Sequence, residues 1–264
     1  MVTLMLFFLA LGAIAGVLAG LLGIGGGLVL VAALAWFLPL HGVPREAGMH
    51  AALASSMASI VLTATSSAWA HHRRGSVLWP TVKWMVPGVL IGGWLGSRFA
   101  ISLDGDVLKW CVAVYCFVVG AQMALSGPPK TRAEAVVPKG PGMTAAGGAI
   151  GAMSSLVGIG GGSMTVPLLV WRGVAPVRAV GTSSACGVFI GLSAAAGYAL
   201  QAPPGALPEH AIGYVYLPAA IGVAIASVLA APYGTRLAHA ISGTALKRVF
   251  AAFLILVGAS LALW

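Results

Sequence analysis

Gly20-Leu21-Leu22-Gly23-Ile24-Gly25-Gly26-Gly27 and Leu156-Val157-Gly158-Ile159-Gly160-Gly161-Gly162 decide how this chain folds. The two runs interrupt the long apolar stretches 3–38 and 143–171. A glycine costs a helix interior up to about 1 kcal/mol relative to alanine, so a cluster of them breaks the helix. Residues 3–38 are also too long for one bilayer crossing, which takes about 20 residues. Each stretch is therefore expected to form a helical hairpin or a pair of half-helices.

Around these runs the composition fixes the solvent. Of 264 residues, 59% are hydrophobic and 7% charged, against about 25% charged in soluble domains. So few charges cannot coat a soluble fold, and the apolar stretches are too long and unbroken for barrel strands. The chain reads as an all-α integral membrane protein. Fourteen Lys and Arg against five Asp and Glu give a formal charge of +9. No basic run exceeds His71-His72-Arg73-Arg74, and the other cations are spread over short inter-helix segments, which argues for helix orientation and against nucleic-acid binding. Cys111, Cys116 and Cys186 lie in apolar runs without CxxC spacing, so neither a metal site nor a disulfide framework is expected.

Further apolar segments fall at 48–70, 77–97, 107–126, 179–200, 211–231 and 246–263, and are expected to be transmembrane helices because lipid forces backbone groups to bond within their own segment. The first Lys or Arg is Arg45, so 3–38 is read as mature structure, not as a signal peptide. Arg73 and Arg74 place the 71–76 loop in the cytoplasm, as Lys130, Arg132 and Lys139 place 127–142. The cation-free 201–210 loop is placed outside. Counting outward puts 39–47, 98–106 and the C-terminus outside and 172–178 and 232–245 inside, with Arg98 arguing against the 98–106 assignment. The 143–171 stretch then starts and ends on the same side, as a hairpin or re-entrant loop requires.

Laying 12–34 over 147–169 superimposes Gly12 on Gly147, Gly16 on Gly151 and the whole first glycine run on the second, at an offset of 135. With small gaps the match continues through Ala54-Ser55-Ser56 over Gly181-Thr182-Ser183, Gly96-Ser97-Arg98 over Gly234-Thr235-Arg236 and Leu108-Lys109 over Leu246-Lys247. The chain reads as a duplication: a first transmembrane repeat at 1–126, a Pro-rich cytoplasmic linker at 127–142 and a second repeat at 143–264. Corresponding loops fall on opposite sides of the membrane, so the repeats are expected to be inverted, each a glycine-broken hairpin plus three transmembrane helices. Many secondary transporters alternate access to a midplane site in this way.

The candidate substrate site is the pair of breaks: Gly23, Gly25, Gly26 and Gly27 with Gly158, Gly160, Gly161 and Gly162. Consecutive glycines let amides face a cavity, and the helix resuming after each break presents N–H groups and a positive dipole end to an anion. Ser163 and Thr165 add hydroxyls in the second half, where the first has Leu28 and Leu30. A second candidate is Ser55-Ser56 with Thr182-Ser183-Ser184, near the start of the helix after each hairpin, where hydroxyls and free amides would complete a cradle. Close helix packing for the glycines, and a cap or interhelical bond for the hydroxyls, are the competing readings. Ser154-Ser155 is a weaker candidate.

All five acids, Glu46, Asp104, Asp106, Glu134 and Glu209, fall in loops or at helix ends, so no buried carboxylate is offered to a cation. An anionic or neutral substrate is favoured, with no cofactor or metal. Arg45, Lys83, Arg178 and Arg236 read as topogenic or snorkelling before they read as anion attractors. His50 is the one histidine placed near a cavity, and an end-of-helix histidine usually faces water. No GxSxG, no HExxH and no intramembrane Asp supports an enzyme.

The duplicated GLLGIGGG and LVGIGGG segments, with HAALASSMASIVLTATSSAWAHHRRGSV after the first and RAVGTSSA after the second, resemble the TauE/SafE family of membrane transporters over essentially the whole chain. That resemblance implies transport, often export, of sulfur-containing anions such as sulfite and sulfoacetate, with the glycine breaks contributing to permeation. Ala54-Ser55-Ser56 departs from the family's Gly-Thr-Ser, which Gly181-Thr182-Ser183 keeps. The sequence thus reads as a multi-pass secondary transporter of the bacterial inner membrane, exporting a small anion by alternating access, with the lipid bilayer as its other partner. A non-transporting scaffold subunit and a passive anion channel are the alternatives, and oligomeric state is not fixed.

Overall fold

The computed structural model describes residues 2–22, 26–125, 137–207, 209–240 and 243–263. Gly23, Ile24 and Gly25, and most of the 127–142 linker including Lys130, Arg132 and Glu134, lie outside the described residues. Among the described residues the chain forms ten α-helices. The first five are α1 (Val2–Leu22), α2 (Gly27–Phe37), α3 (Arg45–Arg73), α4 (Trp79–Ile101) and α5 (Gly105–Leu125). The second five are α6 (Pro141–Val157), α7 (Gly162–Trp171), α8 (Pro176–Leu200), α9 (Leu217–Ala240) and α10 (Gly243–Leu263). The helices α3, α5 and α8 are each long and apolar enough to cross a bilayer. Large apolar side chains such as Ile91, Leu95, Val118 and Leu229 stay exposed on the helix surfaces, as lipid contact requires. The protein is a multi-pass helical membrane protein.

The first glycine break is a reversal of direction. Phe7 in α1 stacks on Phe37 at the end of α2, with ring centroids 3.5 Å apart and planes 9° from parallel, whereas one continuous helix would separate them by about 45 Å. Eleven residues make α2, about 16 Å of helix and half a bilayer. The second half repeats this pattern with the 17-residue α6 and the 10-residue α7.

Small residues set the packing between the two sets of five helices. A Cβ on Gly12 or Gly16 of α1 would lie 2.5 Å from the carbonyl of Val223 or Ser227 in α9. A Cβ on Gly147 or Gly151 of α6 would lie 2.5 or 2.6 Å from the carbonyl of Met85 or Val89 in α4. Backbone thus lies on backbone along both pairs, as small-xxx-small stripes allow in lipid. Residue numbers rise together along α1 and α9, and along α4 and α6, so the helices within each pair run parallel. Helices α3 and α8 run antiparallel: Ser67 bonds Ser184 at 3.0 Å, and Gly191 lies against the Met57 carbonyl. Antiparallel too are α5 and α10, with Gly120 beside Ala251 and Gly258 beside Ala113.

Two expectations are corrected. Residues 211–216 are not helical: Ala211–Ile212 (β1) and Val215–Tyr216 (β2) pair antiparallel, Ala211 opposite Tyr216. Alternating β-branched and aromatic residues around Gly213, which turns at φ 56°, favour a hairpin there, and the helix begins at Leu217. The hydroxyl pairs, moreover, do not sit near free helix ends. Helix α3 starts at Arg45, ten residues before Ser55, and α8 at Pro176, six before Thr182. Pro44 and Ala175, both extended, mark those starts, so the amides around both pairs lie in helix interiors, away from the uncapped first turn.

Candidate functional site

Each break ends in a glycine that only a left-handed backbone can place. Gly26 (φ 56°) precedes α2 and Gly161 (φ 74°) precedes α7, and neither helix has a side-chain cap. The Gly26 carbonyl accepts from the Val29 and Leu30 amides, and the Gly161 carbonyl from those of Met164 and Thr165. Both breaks fold back on the preceding helix at the same relative position. A Cβ on Gly26 would lie 2.5 Å from the Ala15 carbonyl, and one on Gly161 3.2 Å from the Ile150 side chain. Both contacts reach eleven residues back, so the offset of 135 holds in three dimensions.

The two breaks touch. A Cβ on Gly27 would lie 2.5 Å from the Gly158 carbonyl and 3.1 Å from the Ile159 Cα. Ser56 of α3 donates its hydroxyl to the Gly158 carbonyl at 2.9 Å, with the Gly27 carbonyl 3.4 Å away. From there a file of buried hydroxyls follows α3: Ser59 donates to the Ser56 carbonyl at 2.8 Å, Thr63 to the Ser59 carbonyl at 3.1 Å, and Thr63 meets Ser227 of α9 at 2.6 Å. Gly160 faces Ile60 of α3, and a Cβ on Gly187 of α8 would lie 3.0 Å from the Gly160 carbonyl. Gly162 is buried at the first position of α7.

The other candidate hydroxyls divide into engaged and unpartnered. Ser55 accepts the Tyr216 amide at 3.0 Å, so it ties the hairpin to α3 and stands outside the contact between the breaks. Thr182 accepts the Leu78 amide at 2.9 Å and donates to the Arg178 carbonyl at 2.7 Å. Ser163, in the first turn of α7, is hydrogen-bonded to the Tyr115 hydroxyl of α5. Ser155 donates to the Gly93 carbonyl at 2.9 Å. Ser154, Thr165 and Ser183 are buried with no hydrogen-bond partner for their hydroxyls. Such atoms are uncommon in native interiors, and each calls for an explanation.

Sequence reasoning left out Tyr115, Ser59, Thr63 and Ser227. The hydroxyl file could have been found, since Ser56, Ser59 and Thr63 recur at the helical spacing that puts them on one face. Tyr115 is 48 residues from Ser163 and carried no such signal.

Among the described residues the acids lie in loops or in the first turns of helices. Glu46 and Asp106 open α3 and α5, Asp106 pairs with Lys109 at 3.2 Å, and Asp104 and Glu209 lie in loops. Among the described residues no group of three His, Cys, Asp or Glu is placed to hold a metal ion. His50 is buried, its Nε2 within 3.2 and 3.1 Å of the Ala100 and Leu103 carbonyls at the end of α4 and its ring on Tyr214. That ties the start of α3 to the C-terminal turn of α4, where the Ala100 carbonyl also accepts the Leu103 amide at 3.1 Å. His50 does not face water.

Residues 8–261 match the family described as sulfite exporter TauE/SafE. A probable membrane transporter protein of Haemophilus influenzae is 36% identical over 261 residues, covering 97% of each chain. Another, from Methanocaldococcus jannaschii, is 24% identical over 94% of this chain and 91% of its own. A third, from Xylella fastidiosa, is 30% identical over 65% of each. No solved structure matches the chain.

Proposed function

The chain belongs to the TauE/SafE sulfite exporter family, and from that premise we propose that it is a secondary transporter, not an enzyme. It exports a small anion, a sulfur oxyanion or an organosulfonate, across a bacterial inner membrane by alternating access. The observation that carries this reading is the contact of Gly27 with Gly158 under the Ser56 hydroxyl. Two helix-terminating breaks, 135 positions apart in sequence, meet inside the protein. Half-helix ends that meet inside a bundle are how secondary transporters build ion and substrate sites.

The exchanged pairing of α1 with α9 and α4 with α6, and the antiparallel pairing of α3 with α8 and α5 with α10, support two inverted repeats. Corresponding helices pack either on each other's partners or on each other in opposite directions. The substrate's charge is read from what surrounds the breaks: hydroxyls, helix N-termini and, among the described residues, no carboxylate. In this conformation the breaks are closed on one another, and transport requires the two halves to part. A scaffold subunit would need the glycines for packing alone, and the buried, unpartnered hydroxyls of Ser154 and Thr165 would then have no use.

Counterflow in proteoliposomes tests this. Protein loaded with sulfite, sulfoacetate, thiosulfate or sulfate should accelerate uptake of at least one labelled anion, and a folded protein that exchanges none of them would reject the reading.

A further inference from the structure

Gly26 and Gly161 share a left-handed backbone, but the side chains around the two breaks differ. Around the second, Ser154 and Thr165 are fully buried and their hydroxyls have no partner. At the positions 135 earlier stand Ala19 and Leu30, and the position of Ser163 is taken by Leu28. The Ser154 Oγ lies 3.3 Å from where a Cβ on Gly161 would sit, so it is aimed at the residue that precedes α7. Thr165 is one turn into α7, its amide on the Gly161 carbonyl at 2.8 Å, and Cβ bonds in a helix tilt toward its N-terminus. Both hydroxyls therefore flank the same helix start.

That start is itself unsatisfied. Gly162 and Ser163 are the first two residues of α7, whose amides have no intrahelical acceptor, and no side chain caps them. Gly162 and Ser163 are buried, so bulk water does not satisfy these amides. Two amides, a positive helix end and two donor hydroxyls with nothing to donate to are the complement of an oxyanion.

Resting on the transport reading above, we infer that the anion is held on one side only. Its oxygens bind the second break, on the Gly162 and Ser163 amides and the Ser154 and Thr165 hydroxyls, while Gly27 at the start of α2, packed on Gly158, adds no side-chain donor. Tyr115, bonded to Ser163, fixes the first turn of α7 as a positioning residue. The site is thus asymmetric although the repeats are not.

Purified full-length protein tests this with sulfite, read out both as exchange and as thermal stabilisation in detergent. Ser154→Ala and Thr165→Val should each raise the half-saturating sulfite concentration about tenfold or more, and abolish the stabilisation seen at concentrations that saturate the wild type. Thr165→Ser, which keeps the hydroxyl, should stay within about threefold of wild type. If wild type exchanges sulfite and both deletions leave half-saturation and stabilisation unchanged, the one-sided site is wrong and the transport reading stands. If wild type neither exchanges nor is stabilised by sulfite or any anion of the counterflow panel, the transport reading fails and takes the site with it.

Discussion

Ser56 and Gly158 are 102 residues apart, and the hydroxyl of the first reaches the carbonyl of the second at 2.9 Å. The bond joins the α3 helix of one half to the break of the other. Both partners are buried, so removing the donor leaves a desolvated carbonyl behind. Ser56→Ala is expected to destabilise this closed conformation by about 1–3 kcal/mol, lowering the unfolding temperature in detergent. An unchanged melting curve would mean that Gly158 finds another donor.

Gly27→Ala would put a methyl 2.5 Å from the Gly158 carbonyl, against backbone that has no rotamer to yield. Gly161→Val adds a clash with Ile190 to a backbone at φ 74°, which β-branched residues avoid. Both variants should insert into the membrane and lose anion exchange. Wild-type exchange by either would remove that break from the transport path.

Gly12 and Gly147 lie at equivalent places in the two halves, each with a carbonyl 2.5 Å from its absent Cβ. Gly12→Val and Gly147→Val should therefore destabilise the protein alike, by about 1–3 kcal/mol each from overpacking. Melting temperatures in detergent that differ widely between the two would argue against equivalent packing of the halves.

His50 holds the end of α4 through Nε2. His50→Gln, which keeps a donor, should sustain exchange with a pH profile parallel to wild type between about pH 6 and 8, across the range where an unperturbed histidine titrates. A profile flattened by the substitution would make His50 a proton-coupling group instead.

How far the sequence reaches can be judged at particular residues. The glycine runs were legible because a broken helix and a repeated offset need no partner to be seen, and Gly26 and Gly161 take the same backbone geometry 135 residues apart. The α4–α9 correspondence, read from Gly96 over Gly234 at an offset of 138, recurs in Met85 and Val223, which face Gly147 and Gly12. Contacts between distant segments were not legible: Ser56 on Gly158 and Tyr115 on Ser163 depend on how α3 and α5 are laid across the breaks. Residues 211–216 misled because apolar content was read as helix, where a short β-branched and aromatic run about Gly213 prefers a hairpin. Ser55 and Thr182 misled because the helix starts lie upstream, at prolines whose effect was counted only in the linker.

In the proposed transport cycle α3 and α8 shift against one another, and their contact offers a lock. The Ser67 and Ser184 hydroxyls stand 3.0 Å apart, close enough for a disulfide in their place. In protein lacking Cys111, Cys116 and Cys186, the pair Ser67→Cys and Ser184→Cys should exchange sulfite while reduced, lose exchange on oxidation and regain it with reductant. Undiminished exchange by fully cross-linked protein would contradict movement between the two halves as the basis of transport.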